Sequence, residues 1–193
     1  MKIVYYLFLI LASILTVPQS ASAQKDSSGI YKTAEDFRHR KLTYAINCTT
    51  EKHKISPDIL FKGSIVKIRH QGNTFRLNKS DVFGYRTCEG KEYRFVNNLQ
   101  YLILNPGEML ILYLYQQPVQ PQKNAVQTPP KYFFSINENE SLRELTKDNL
   151  KFLYPDNHKF HDELDAQFRD DKDLYAYDSF HKMYKINWIL KNL

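Results

Sequence analysis

Glycine and cysteine are scarce in this chain, with six Gly and two Cys among 193 residues. So little glycine excludes collagen-like and glycine-rich low-complexity sequences. Two cysteines with no CxxC spacing exclude a four-cysteine zinc site. No GxSxG segment exists, so the strand-to-helix nucleophile elbow is absent. Long apolar runs are missing except for one near the N-terminus, which excludes a multi-pass helical membrane protein. No signature of an RNA- or DNA-binding module is present, and no nucleic-acid partner is expected.

What is there is aromatic and apolar. Hydrophobic residues make up 42% and aromatics 14%, enough to build a core and too many for a broadly disordered chain. The N-terminal run has export character. Lys2 opens it, Ile3 to Val17 is apolar apart from Ser13 and Thr16, and Pro18-Gln19-Ser20 breaks it before Ala21-Ser22-Ala23. A positive start, a short apolar stretch and a small-x-small site predict a signal peptide over residues 1–23. An uncleaved anchor is the alternative. The expected location is the periplasm or the exterior, with no transmembrane segment left after cleavage. No Cys follows the cleavage site, which argues against a lipid anchor. In an oxidising compartment Cys48 and Cys88 suggest one disulfide; two separate buried thiols are the alternative.

Residues 24–137 read as a β-rich domain. Ile65 to Arg69 alternates, Gln71-Gly72-Asn73 turns, and Thr74 to Leu77 returns. Strand patterns follow at Leu42 to Asn47, Val82 to Thr87, Glu92 to Val96, Tyr101 to Leu104 and Met109 to Tyr115, the last the longest. Asn97-Asn98 and Asn105-Pro106-Gly107 are turns. Thr33 to Arg40 is ambiguous and fits one helical turn capped by Thr33. Residues 116–131, rich in Pro and Gln, read as a polar loop. Tyr132 to Ile136 is a further strand. From Ser141 onward the period lengthens. Either Ser141 or Thr146 starts a first helix. Phe160, Leu164 and Phe168 step by four. Asp171 is expected to cap a last helix carrying Leu174, Tyr177, His181, Tyr184 and Trp188. The fold class is therefore α+β: an antiparallel meander forming a sandwich or partly open barrel, then two or three helices over 138–193 packed on it.

Charge divides between these parts. Residues 24–137 carry 17 basic and 9 acidic side chains, and residues 138–193 carry 9 and 12. The parts should attract each other. If Val66, Ile68, Phe75, Leu77, Tyr93 and Phe95 face a core, the two-residue period places Lys67, Arg69, Arg76 and Arg94 on the opposite side, and Arg86 can join them. Guanidinium forks suit carboxylate, phosphate or sulfate groups. These residues form a candidate anionic-ligand surface, for an acidic glycan or an envelope polymer. A solvated face, or one covered by the acidic helices, is the plainer alternative. His158 and His161, with Asp162, have a spacing that can aim two imidazoles and a carboxylate at one metal. The pattern is loose, and surface histidines explain it equally, so no metal or cofactor is expected. His181 lies near Asp178 and Ser179, but on one helix these would point apart. No catalytic residue is assigned.

Two segments carry a resemblance. Gly29-Ile30-Tyr31-Lys32-Thr33-Ala34-Glu35-Asp36-Phe37 followed by Lys41-Leu42-Thr43-Tyr44, and the stretches Pro155 to His161 and Tyr177 to Lys185, resemble a family of small exported Gram-negative bacterial proteins. The resemblance implies export and a β-rich body with a helical tail. It implies no activity, ligand or site residue. The expected function is a non-enzymatic binding or envelope-associated protein, with an envelope protein or anionic polymer as partner. The alternatives are a hydrolase of envelope or dietary polymers and a structural subunit of an envelope assembly.

Overall fold

The computed structural model describes residues 26–51, 54–58, 63–118 and 128–193. Residues 1–23, where the sequence leads one to expect a signal peptide, and the middle of the Pro/Gln stretch lie outside the described residues. The protein is α+β. In chain order the elements are β1 (Ser27–Tyr31), α1 (Ala34–Arg38), β2 (Thr43–Asn47), β3 (Lys54–Pro57), β4 (Ile65–His70), β5 (Asn73–Asn78), β6 (Gly84–Arg86), β7 (Glu92–Val96), β8 (Leu99–Ile103), β9 (Ile111–Tyr115), β10 (Lys131–Ser135) and β11 (Arg143–Glu144). Then come α2 (Lys147–Leu153), α3 (His158–Gln167), the short strands β12 (Tyr177–Asp178) and β13 (Met183–Tyr184), and α4 (Lys185–Lys191). Eight strands form one antiparallel sheet in the order β11-β10-β9-β8-β7-β6-β1-β2. It has two edges and is not a closed barrel. Six of its strands are a plain meander. β3, β4 and β5 form a separate three-stranded sheet, inserted between β2 and β6. Among the described residues no helix is long and apolar enough to cross a membrane.

Turn chemistry sets a hairpin in the large sheet and one in the inserted sheet. Gln71-Gly72 and Asn97-Asn98 have positive φ at both central positions, the conformation that joins twisted antiparallel strands in two residues. Gly84 is needed for a different reason. A Cβ there would lie 1.8 Å from the Tyr93 carbonyl oxygen, so β6 and β7 meet too closely for any side chain.

Alternation then divides the large sheet into two faces, and both are covered. On one face Ile30, Tyr85 and Phe95 pack against Val66 and Ile68 of the small sheet. Further along that face Leu112 and Phe134 meet Leu150, Phe160, Leu164, Phe168, Ile186 and Ile189 of the helices. On the opposite face Tyr31, Tyr101, Ile103, Ile111 and Tyr113 pack with Phe37 of α1, flanked by Phe83 and Leu142. Two polar side chains tie layers together. Lys79 is buried and donates to the carbonyls of Asp58 at 2.6 Å and Asn98 at 3.0 Å, joining the small sheet to the β7–β8 turn. Burial pulls its pKa down. The Asn187 amide of α4 pairs both ways with the backbone of Leu110, each bond 2.9 Å.

Several sequence expectations need correction. The last helix starts at Lys185, not near Asp171. Asp178 accepts from the backbone amides of Phe180 and His181, and that local bonding makes a hairpin turn instead of a helix. Thr146, not Ser141, caps the first C-terminal helix, its hydroxyl accepting from the Asn149 amide. Arg143 and Glu144, inside the alternative Ser141 box, are instead an edge strand of the large sheet, so that sheet runs past residue 137. β9 has five residues and is not the longest strand. Thr33 does cap α1, accepting from the Asp36 amide.

Candidate functional site

The inserted sheet has one greasy face and one basic face. Its register pairs Lys54 with Arg69, Ser56 with Lys67, Lys67 with Arg76, and Arg69 with Thr74. Residues two apart point the same way, so Lys54, Lys67, Arg69 and Arg76 share the outward face. All four are exposed. They form a diagonal band, with Lys54 beside Arg69 in one cross-strand row and Lys67 beside Arg76 in the next. Directly opposed like charges destabilise a sheet. Two unit charges roughly 5 Å apart in water repel by about 0.8 kcal/mol before salt screening. Among the described residues none of the four forms an ion pair. The acidic helices do not neutralise this face, because their interface with the large sheet is the apolar cluster around Phe134 and Phe160. A cavity of about 410 Å³ opens at the end of the band, lined by Ser56, Ser64, Lys67 and Arg76 among others.

Arg94 is not part of this face. It alternates with Tyr93 and Phe95 as the period requires, but its side of the sheet is covered, and it is only 8% exposed. Its guanidinium donates to the Tyr113 hydroxyl at 3.2 Å and the Glu140 carbonyl at 2.8 Å, and lies over the Phe83 ring. Arg86 is on the same covered face. It reaches Glu92 at 3.4 Å, and Glu92 also accepts from Arg40 and, at 2.7 Å, from the Tyr31 hydroxyl. Burial, then the Glu92 hydrogen bond, pushes the Tyr31 hydroxyl up to about 12. Burial works against the Arg40 charge, but the Glu92 carboxylate outweighs it and raises the guanidinium pKa. This cluster fastens the α1 turn to β7.

The other candidates fall elsewhere. His161 bonds the Tyr154 carbonyl at 2.9 Å at the end of α2, and its ring centre is 5.9 Å from that of His158. Asp162 is exposed on α3. Among the described residues no group of three His, Cys, Asp or Glu side chains is placed to hold a metal ion. His181 and Asp178 do meet, at 2.7 Å in the β12–β13 turn, and that bond holds the Asp178 carboxyl below its usual range. The imidazole leans on Trp188 and Phe180. The sulfur atoms of Cys48 and Cys88 are 2.09 Å apart, at disulfide distance, joining the end of β2 to the β6–β7 turn. A second concavity of about 300 Å³ lies on the large sheet, lined by Tyr93, Gln100, Leu102 and Leu114 and by Gln116, Gln117 and Pro118.

Comparison with protein families, with curated proteins and with solved structures finds no match. The site therefore rests on its own chemistry. Lys54 escaped the sequence reading because β3 has only four residues and ends in Pro57.

Proposed function

We propose that this is an exported, non-enzymatic binding protein that holds an acidic glycan of the bacterial envelope or its surroundings on the outer face of its small sheet. One observation supports the reading above the rest: two cation pairs stand directly across strands, at a cost in repulsion, and among the described residues none of the four cations forms an ion pair. A chain of carboxylates laid over the band would turn that cost into attraction and release counterions. The export signature favours a polymer met outside the cytoplasm. A hydrolase built on His158 and His161 finds less support, since His161 is engaged with a backbone carbonyl.

The test is binding to polygalacturonate, with neutral galactan as control, at several salt concentrations. The wild-type chain should bind the acidic polymer alone, and more weakly as salt rises. A variant with Lys54, Lys67, Arg69 and Arg76 all changed to Gln should lose at least ten-fold in affinity and keep its melting temperature. Equal binding by that variant, or no binding by the wild type, refutes the proposal. Fractionation of cells making the full chain tests export; a product retained in the cytoplasm refutes that part.

A further inference from the structure

We infer that the cavity at the end of the basic band is a seat for one singly charged acidic sugar residue, while Lys54 and Arg69 form a track for the residues that follow. This rests on the proposed glycan reading and adds a division of labour to it. The cavity, about 410 Å³, is within the range of roughly 300–1,000 Å³ common to small-molecule sites. Lys67 and Arg76 line it side by side on neighbouring strands. An arginine fork beside a lysine point charge suits a single carboxylate. The lining also holds Ser56, Ser64, Pro57 and Ile65. The serine hydroxyls, each donor and acceptor, suit sugar hydroxyls, and the hydrocarbon of Pro57 and Ile65 suits the C–H face of a ring. Asp58 also lines the cavity. A lining with two cations and one carboxylate suits one anionic group better than a diphosphate or a densely sulfated residue. Lys54 and Arg69 are not in the lining. They sit one row away, roughly 7 Å along the strands, where only a longer chain reaches them.

The experiment measures galacturonic acid, glucuronic acid, galactose, inorganic sulfate and a galacturonate octamer against the full chain by titration calorimetry and NMR. Either uronic acid should bind in the millimolar range, with galactose and sulfate at least ten-fold weaker. Arg76→Gln should weaken both the monomer and the octamer at least ten-fold. Lys54→Gln with Arg69→Gln should weaken the octamer and leave the monomer unchanged. These side chains are exposed, and unchanged melting curves confirm that the variants fold. Sulfate binding as tightly as a uronate overturns the seat. So does an octamer that binds while neither monomer does, or monomer binding indifferent to Arg76→Gln, and in those cases the broader glycan reading survives. If the octamer does not bind at all, both fall.

Discussion

Glu92→Gln removes a charge and keeps the shape. The carboxylate is 5% exposed and holds Arg40, Arg86 and the Tyr31 hydroxyl. Breaking a buried pair by deleting one partner costs about 3–5 kcal/mol, because the remaining charge is left without compensation. Here the survivors are partly wet: the Arg40 side chain is 31% exposed and Arg86 16%. Water can recover some of the loss, so the lower end, about 3 kcal/mol, is expected. For a domain of this size each kcal/mol shifts Tm by about 2–4 °C, giving a fall of about 6–12 °C. Urea unfolding followed through Trp188 fluorescence should show a lower midpoint at an unchanged slope. Glu92→Gln combined with Arg40→Gln should cost less than the sum of the two, since the second change removes the stranded charge. A loss under about 1 kcal/mol, or strict additivity, would show that the cluster does not hold the α1 turn as argued.

Alkali provides a separate test at Tyr31. Its folded pKa is about 12 and its unfolded value near 10. The protonated hydroxyl therefore contributes stability that is complete below pH 10 and is lost as pH climbs to about 12. Tyr31→Phe should flatten that part of the Tm–pH curve, and an unchanged curve contradicts it. Cys48 and Cys88 are 40 residues apart. Opening that pair should cost about 4 kcal/mol in the chain-entropy picture. Because the loop encloses β3, β4 and β5, reduction should also expose these three strands to protease; identical melting and digestion with and without reductant would refute this. Thr146 caps α2, so Thr146→Ala should cost about 1 kcal/mol, whereas Ser141→Ala should cost almost nothing. Equal losses in urea unfolding would mean the cap is misplaced.

Some of this architecture is written locally and some is not. The turns at Gln71-Gly72 and Asn97-Asn98, and the four-residue steps of Phe160, Leu164 and Phe168, are properties of neighbouring residues, and a sequence displays them. The aromatic spacing from Leu174 to Trp188 also looks helical. What defeats it is the Asp178 carboxylate bonding two amides ahead of it, together with positive φ at Lys182, a competition that periodicity does not register. Arg94 shows a different limit. Alternation assigns a side chain to a face but not the fate of that face, and here α1 and residues 136–142 cover it. The Glu92 cluster was invisible for a third reason. Arg40 is 52 residues away from its carboxylate, and Tyr31 is 61, so only the crossing of β1 between β6 and β2 brings them together.

The charge imbalance follows from the same topology. Opposite net charges on the β part and the tail suggest that the two neutralise each other on docking. Docking instead uses Leu112, Phe134, Phe160 and Leu164, where burying apolar area contributes far more than screened surface ion pairs. The helices occupy the β9–β10 end of the large sheet, and the small sheet occupies the β1–β6–β7 end of the same face. Among the described residues no acidic side chain of the helices forms an ion pair with the cations of β3, β4 and β5. The insertion is held from three sides, by the cysteine pair at its root, the apolar face beneath it and the buried Lys79. A sheet so fastened keeps its basic residues facing water whether or not a partner is present, and that prior ordering lowers the entropy a bound polyanion would otherwise have to overcome.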